Sequence, residues 1–92
     1  MKALVNKKPF IVACIPAYDE EGSIAKVIVK AMKHVDKVIV CDDGSSDLTR
    51  EIADRLGVEV LRHEENLSEG AALRTLFSRA IRLCPDAAVT LD

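Results

Sequence analysis

The chain has 92 residues and a mass of 10.1 kDa, a size that suits one small domain. Apolar residues make up 49% and charged residues 30%, close to globular averages, which argues against disorder, a collagen repeat and a coiled coil. Thirteen basic and fifteen acidic residues are interspersed along the chain and give a net charge of -2. Because no basic stripe stands out, we expect no nucleic-acid partner.

The three cysteines, Cys14, Cys41 and Cys84, lie far apart and form no CxxC motif or Cys/His cluster with metal-ligand spacing. We interpret them as reduced, mostly buried thiols of a cytoplasmic protein. The apolar run after Lys8 is shorter than the ~7–15 residues of a signal-peptide core, and no run reaches the ~18 residues of a membrane span. We therefore expect neither an export signal nor a transmembrane helix.

The first predicted element is a buried strand over residues 10–15, rich in β-branched side chains and stopped by Pro16. Apolar residues then recur at helical spacing from Ile24 to Val35. Residues 38–41 form a second strand, which ends in a turn of aspartates and serines. The sequence so far predicts a strand, a helix and a strand.

The turn after the second strand leads into a second helix, which Gly57 is suited to close. Its predicted apolar face consists of Leu48, Ile52 and Leu56. Asp19 before the first helix, and Ser46 and Asp47 before the second, are good N-cap residues. A short third strand follows at residues 58–61.

A third apolar helical stripe begins near Ser68 and ends before Pro85; its members are Ala72, Leu73, Leu76, Phe77, Ala80, Ile81 and Cys84. Residues 87–91 form a fourth strand, which runs into Asp92. The order β-α-β-α-β-α-β predicts an α/β fold with a Rossmann-like parallel sheet of about four strands and flanking helices. We expect one domain over residues 1–92.

Acidic residues cluster at the predicted carboxyl ends of the strands, where ligands bind in such sheets; they are Asp19, Glu20, Glu21, Asp42, Asp43, Asp47 and Asp92. Carboxylates gathered in a cleft repel each other unless cations or hydrogen-bond donors offset their charge. The rim therefore predicts a divalent metal or a donor-rich ligand such as a nucleobase with its ribose. Helix capping, solvated turns and a solvated chain end are the alternative interpretations of these residues. His34 and His63 are interpreted as surface or packing histidines.

Several phosphate-binding motifs are absent. The sequence contains no GxxxxGK[ST] and no GxGxxG, which argues against a P-loop hydrolase and a dinucleotide-binding domain. A haloacid-dehalogenase-like phosphatase would need an Asp nucleophile two positions before Asp43, where this chain has Cys41. Such a phosphatase stays an alternative, as does a non-catalytic α/β interaction module that associates through the edge of its third or fourth strand.

Four motifs follow one another along the chain: Pro-Ala-Tyr-Asp-Glu-Glu at 16–21, Val-Ile-Val-Cys-Asp-Asp-Gly-Ser-Ser-Asp at 38–47, Asn66 with Gly-Ala-Ala-Leu-Arg-Thr at 70–75, and Val-Thr-Leu-Asp at 89–92. In this order they resemble the start of a family 2 glycosyltransferase, and most of all its dolichyl-phosphate mannose synthase and polyprenyl-phosphate sugar transferase branch. The resemblance implies the nucleotide-binding half of a GT-A fold. It also implies a UDP- or GDP-linked sugar as donor and a Mg²⁺ or Mn²⁺ ion.

The resemblance also implies roles for individual residues. The residues that would contact the nucleotide are Pro16, Ala17, Tyr18, Glu20, Cys41 and Asp43. Asp43 would contact the base, with the Cys41 backbone beside it and Asp42 in support. Asp92 would be the first acid of a metal-binding Asp-x-Asp motif. Glu69 stands where the family usually has Lys, so an anion replaces a cation near the expected donor site.

The resemblance implies an enzyme that transfers a hexose from a nucleotide sugar to an acceptor such as a polyprenyl phosphate, at the cytoplasmic face of a membrane. The second metal-binding acid and the acceptor-side base would follow Asp92. We therefore expect residues 1–92 to be a truncated nucleotide-sugar-binding domain that does not transfer sugar by itself.

Overall fold

The computed structural model describes residues 8–91. Its strands form one parallel sheet in the order β3-β2-β1-β4; they are β1 (Ile11–Ala17), β2 (Lys37–Asp43), β3 (Glu59–His63) and β4 (Ala87–Thr90). The helices that connect them in chain order are α1 (Ile24–Met32), α2 (Thr49–Arg55) and α3 (Glu69–Ile81). The predicted α/β fold with a Rossmann-like sheet and flanking helices is confirmed.

Two apolar cores lie on opposite faces of the sheet, because successive strand side chains point to opposite faces. The core under α1 and α2 takes from the strands Ala13, Ile15, Ala17, Val38 and Val40. The core under α3 takes from the strands Val12, Cys14, Ile39 and Cys41. By the same alternation, Asp42 lies on the face of α1 and α2, and Asp43 lies on the face of α3.

β1 is longer than predicted, since it continues through Pro16 to Ala17. Proline cannot donate a ladder hydrogen bond and is normally confined to edges and strand ends. In this sheet the β4 partner reaches only as far as Cys14, so the last residues of β1 pair on the β2 side alone. Among the described residues, Pro16 therefore lies on a part of β1 that has a neighbouring strand on one side only.

β2 is also longer than predicted, since it includes Asp42 and Asp43, which are only 2% and 3% exposed. The predicted strand ended at Cys41, because two adjacent aspartates are unusual inside a buried strand. In the structure Asp43 pairs in register with His63 of β3. The interpretation of these aspartates as solvated turn residues is therefore wrong.

The apolar faces of α2 and α3 are narrower than predicted. Leu48 is exposed, and α2 buries Thr49 and Ala53 instead, with the predicted Ile52 and Leu56 packed beside them. On α3 the buried positions are Ala72, Leu76 and Ala80, and the predicted Phe77, Ile81 and Cys84 are exposed. All four residues of β4 are themselves exposed. The described part of the sheet therefore offers little surface that could cover Phe77, Ile81 and Cys84.

The strands β3 and β4 are the edges of the described sheet, and the association of copies through such an edge stays a prediction.

Between α1 and β4 lies an apolar groove of about 600 Å³, whose lining includes Val27, Val35, Val89 and Leu91. None of the described helices is long and apolar enough to cross a membrane.

Gly44 brings two loops into contact. Its φ of +78° is a left-handed conformation that glycine adopts without strain. A Cβ at this position would collide with the backbone of Glu65 and would lie 2.6 Å from the backbone nitrogen of Asn66. The turn after β2 therefore packs directly on the segment that leads from β3 to α3.

We predict that Gly44→Ala lowers the free energy of unfolding by about 3 kcal/mol, since the substitution adds an overpacked Cβ to backbone strain. Gly57→Ala is the matched control, because Gly57 has a similar φ of +82° but open space around its Cα. That variant should lose only about 1 kcal/mol. Urea unfolding of both variants checks the difference, and equal losses would contradict the close packing at Gly44.

Candidate functional site

A pocket of about 480 Å³ opens at the carboxyl ends of β1 and β2, between α1 and the start of α3. Five of the six predicted nucleotide contacts line it, namely Pro16, Ala17, Tyr18, Glu20 and Asp43. The opposite wall comes from the segment before α3 and its first residues, through Asn66, Ser68 and Glu69. The topology thus brings together residues that lie up to about fifty positions apart in the sequence.

Cys41 does not line the pocket. Its side chain is fully buried on the α3 face, with Sγ 3.8 Å from Nε2 of His63. Burial, together with the nearby Asp43 and Asp42 carboxylates, raises the pKa of this thiol to about 11. The thiol is therefore neutral at physiological pH and is not a nucleophile, and only the backbone of Cys41 is left for the predicted contact.

The Asp43 carboxylate accepts three hydrogen bonds. Oδ1 accepts from the backbone N–H of Leu67 at 2.9 Å and lies 2.7 Å from Nδ1 of His63. Oδ2 accepts from the backbone N–H of Ser68 at 3.0 Å. Asp43 therefore connects β2 to the end of β3 and to the start of α3.

Burial by itself would raise the pKa of Asp43. The hydrogen bonds from Leu67, His63 and Ser68 outweigh burial and hold the pKa below its ordinary value of 3.8. The carboxylate is therefore ionised throughout the physiological range, and its charge is offset by donors that the chain itself supplies.

Asp42 faces the opposite side of the sheet. Its Oδ2 accepts a long hydrogen bond of 3.4 Å from the backbone N–H of Ser45. Its Oδ1 is buried and has no hydrogen-bond partner among residues 8–91. Asp42 does not line the pocket, and its supporting role stays a prediction.

The loops after β1 and β2 bind each other through reciprocal hydrogen bonds. The backbone N–H of Asp19 donates to Oγ of Ser45 at 2.9 Å, and the Asp19 carboxylate accepts from the N–H of Ser46 at 2.8 Å. The N–H of Glu20 donates to Oγ1 of the buried Thr49 at 2.7 Å. These bonds hold the Tyr18–Glu20 side of the pocket in place.

The three residues predicted to cap helices, Asp19, Ser46 and Asp47, all form hydrogen bonds between these two loops. Asp19 lies five residues before α1, has a φ of +50°, and bonds to Ser46 rather than to its own helix, so the prediction that either residue caps a helix is wrong. Asp47 does accept from the N–H of Thr49 at 2.9 Å, at the start of α2, and its second oxygen accepts from Glu21. Ser68 caps α3 by accepting from Ala71 at 3.2 Å.

The charges that line the pocket are all negative. Glu20, Asp43 and Glu69 contribute carboxylates, and no lysine or arginine lines the pocket within the described part of the chain. The Glu20 carboxylate accepts a 3.0 Å hydrogen bond from the hydroxyl of Ser23. The acidic rim predicted from the sequence is therefore smaller than expected, since Asp19, Glu21 and Asp47 are used between the loops.

The predicted metal ligand, Asp92, lies outside the described residues. Among residues 8–91, no three His, Cys, Asp or Glu side chains are grouped so that they could hold a metal ion. The described residues do not by themselves form a metal site, and the assignment of Asp92 stays a prediction.

His63 is the site residue that the sequence analysis missed. It was interpreted as a surface or packing histidine because it has no partners at metal-ligand spacing in the sequence. Its partners come from β2 and α3, through Asp43 and Thr75. Its position just after the predicted third strand, at the edge of the sheet where the acidic residues gather, is the signal that could have identified it.

Comparison with known proteins assigns the family. The model of glycosyl transferase family 2 matches residues 12–81, which is most of the chain. The chain belongs to glycosyl transferase family 2. The match favours neither of the two alternatives, the phosphatase and the non-catalytic module.

Two relatives match most of this chain. An uncharacterized protein of Methanocaldococcus jannaschii is 38% identical over 89 residues, which cover 96% of this chain and 36% of the relative. The UDP-N-acetylglucosamine–dolichyl-phosphate N-acetylglucosaminyltransferase of Methanococcus voltae is 34% identical over 96 aligned positions, covering 85% of this chain and 38% of the relative. The chain thus spans little more than a third of the length of these relatives.

The fold is similar to that of glucosyl-3-phosphoglycerate synthase from Mycobacterium tuberculosis. Its complex with Mn²⁺, UDP and glucosyl-3-phosphoglycerate superposes with a TM-score of 0.52 and 34% identity, covering 62% of this chain and 22% of the synthase. Its complex with phosphoglyceric acid has a TM-score of 0.58 and 33% identity, covering 71% and 27%. These structures agree with the expected GT-A architecture.

We predict that Asp43→Asn lowers the free energy of unfolding by about 2 kcal/mol at pH 7, because it removes the charge from these hydrogen bonds and replaces one acceptor oxygen with an N–H₂ group that cannot accept. A lowered folded-state pKa stabilises the protein above the unfolded-state pKa, and the stabilisation is lost as the pH falls. The difference between the two proteins should therefore shrink as the pH drops below 3.8, the ordinary pKa.

Urea unfolding of both proteins between pH 7 and pH 3 measures this difference. Asp54→Asn, on the exposed side of α2, is the control and should change little at any pH. Comparing proteins that differ only at Asp43 cancels the contribution of Glu59, whose pKa is lowered by hydrogen bonds from Arg79. A difference that stays constant over this pH range would contradict the account of Asp43.

Proposed function

We propose that the pocket at the carboxyl ends of β1 and β2 binds the nucleoside diphosphate part of a nucleotide-sugar donor. The observation that carries the proposal is the convergence of Tyr18, Glu20 and Asp43 on one pocket of about 480 Å³. This volume falls within the ~300–1,000 Å³ typical of small-molecule sites. The UDP complex of the structurally similar synthase supports the same class of ligand.

The pocket offers distinct surfaces to the parts of a nucleoside. Tyr18 is 48% exposed at the rim and can present its ring to a base. Ile24 and Val27 of α1 supply an apolar wall. The Glu20 carboxylate, bonded to Ser23, retains acceptor positions for ribose hydroxyls.

Asp43 favours a base with one N–H donor. A carboxylate has about four acceptor positions, and two on Oδ1 and one on Oδ2 are already occupied. One position on Oδ2 is left for a ligand. Uracil presents one imide N–H, whereas guanine presents adjacent N–H groups that need both carboxylate oxygens, so we propose a UDP-linked donor.

A diphosphate bound in this pocket needs positive charge beside it, because the charged side chains that line the pocket are negative. Glu20, Asp43 and Glu69 repel it, and the described lining residues include no cationic side chain. A bound Mg²⁺ or Mn²⁺ ion would supply positive charge beside the diphosphate, with Asp92 as the ligand that the family resemblance implies. The described residues of the chain bind and orient the nucleoside.

The activity of the whole protein forms part of the proposal. We propose hexosyl transfer to a phosphate acceptor such as a polyprenyl phosphate, at the cytoplasmic face of a membrane. The relative from Methanococcus voltae, which is named for a dolichyl-phosphate acceptor, supports this class. Residues 1–92 would serve as the donor-binding domain and would not transfer sugar alone.

Calorimetric titration of the chain with UDP and with GDP, each with and without Mg²⁺, tests the proposed ligand. We expect UDP to bind about tenfold more tightly than GDP, a preference of about 1.4 kcal/mol. Failure of both nucleotides to bind would overturn the proposed function. Tighter binding of GDP would overturn the choice of base and would leave nucleotide binding intact.

We predict that Glu69→Lys strengthens UDP binding by about tenfold at low ionic strength, because it replaces an anion in the pocket wall with a cation. Glu51→Lys on α2 makes the same change in net charge outside the pocket and is the matched control. The same titration, repeated at high salt, should show a smaller effect. Equal gains for both variants would show that net charge, rather than the position of Glu69, controls binding.

A further inference from the structure

We propose that His63, braced by Thr75, is a positioning residue that holds the Asp43 carboxylate in its binding orientation. This inference rests on the proposed function, because its consequence is a preformed nucleotide pocket. His63 does not line the pocket, so it would act through Asp43 and the segment that Asp43 binds.

Both ring nitrogens of His63 are engaged. Nδ1 lies 2.7 Å from Oδ1 of Asp43, and Nε2 lies 2.8 Å from Oγ1 of Thr75. The His63 side chain is only 10% exposed, and His63 pairs in register with Asp43 across β2 and β3. A rotation of the ring would break both hydrogen bonds, so the ring has one favourable orientation.

The chemistry of Asp43 places a proton on Nδ1 of the ring. An ionised carboxylate only accepts hydrogen bonds, so Nδ1 of His63 carries the proton that bonds to Asp43. In the tautomer with its proton on Nδ1 alone, Nε2 accepts from the hydroxyl of Thr75. Thr75 thereby favours the tautomer that donates to Asp43.

The fixed carboxylate in turn holds a wall of the pocket. The same Oδ1 atom that bonds to His63 accepts from the N–H of Leu67, and Oδ2 accepts from Ser68. The segment at 66–69 carries the pocket residues Asn66, Ser68 and Glu69. If the His63 ring were released, the carboxylate could turn and these two backbone bonds would weaken, at a cost to ligand affinity.

Asp43, His63 and Thr75 are hydrogen-bonded in the same order as the acid, histidine and hydroxyl of a catalytic triad. Thr75 lies in the middle of α3 and does not line the pocket, so its hydroxyl does not face a bound ligand there. The nearby Cys41 thiol is kept neutral and buried. The geometry therefore supports positioning rather than nucleophilic catalysis.

Substitution of Thr75 tests the inference through UDP affinity. Thr75→Val removes the hydroxyl and keeps the shape, and we expect about a fivefold loss of affinity, the worth of one hydrogen bond. Thr75→Ser restores the hydroxyl and should bind UDP within about twofold of the original chain. Ile52→Val, in the core on the opposite face of the sheet, is the control for lost stability and should bind UDP normally.

A measurement without ligand separates this inference from the proposed function. NMR of the free chain should show the proton on Nδ1 of His63, and Thr75→Val should speed hydrogen exchange at the amides of Leu67 and Ser68. Ile52→Val should change the exchange rates of these two amides only as far as it changes the free energy of unfolding of the whole chain. Thr75→Ala provides the same readout if the valine variant does not fold.

Unchanged exchange at Leu67 and Ser68 in a folded variant without the hydroxyl would overturn the positioning role, whether or not the chain binds UDP. Unchanged UDP affinity in Thr75→Val, where the original chain binds UDP, would overturn it as well. If the original chain bound no nucleotide but the two amides responded as expected, the proposed function would fail and the positioning of Asp43 would stand.

Discussion

The Asp43 carboxylate connects the end of β2 to two neighbouring segments that lie 20 to 25 residues further along the chain. Its three hydrogen bonds join the end of β2 to His63 at the end of β3 and to Leu67 and Ser68 before α3. Burying a carboxylate is costly unless donors offset its charge, and here the donors come from the elements that form the pocket. Without this ionised group the wall formed by residues 66–69 would lose the two hydrogen bonds that join it to β2.

Two further parts of the pocket depend on contacts between loops, whereas the wall formed by α1 belongs to an apolar core. Asp19 and the serines of the turn after β2 exchange hydrogen bonds, and Gly44 lets that same turn pack against Glu65. The parallel sheet brings these loops to one edge, since β1, β2 and β3 all end there. Asp19, Ser45 and Ser46 therefore bond to each other and shape the pocket rather than contact a ligand.

Sequence patterns predicted the element order and the sheet, because continuous apolar runs and helical stripes are local signals. They also placed Tyr18, Glu20 and Asp43 at one site. They did not predict that Asp42 and Asp43 are buried in β2, or that Asp19 bonds to Ser46. Those features depend on the register between strands and on contacts between loops, which no local pattern encodes. His63 was missed for the same reason, since its partners come from other elements.

Chemical-shift mapping of the isotope-labelled chain with UDP tests most directly whether this pocket is the ligand site. We expect the amides of Tyr18, Asp43 and the segment 66–69 to shift on titration. The amides of Val35 and Val89, in the apolar groove between α1 and β4, should not shift. Shifts confined to that groove, or no shifts at saturating UDP, would contradict the proposed site.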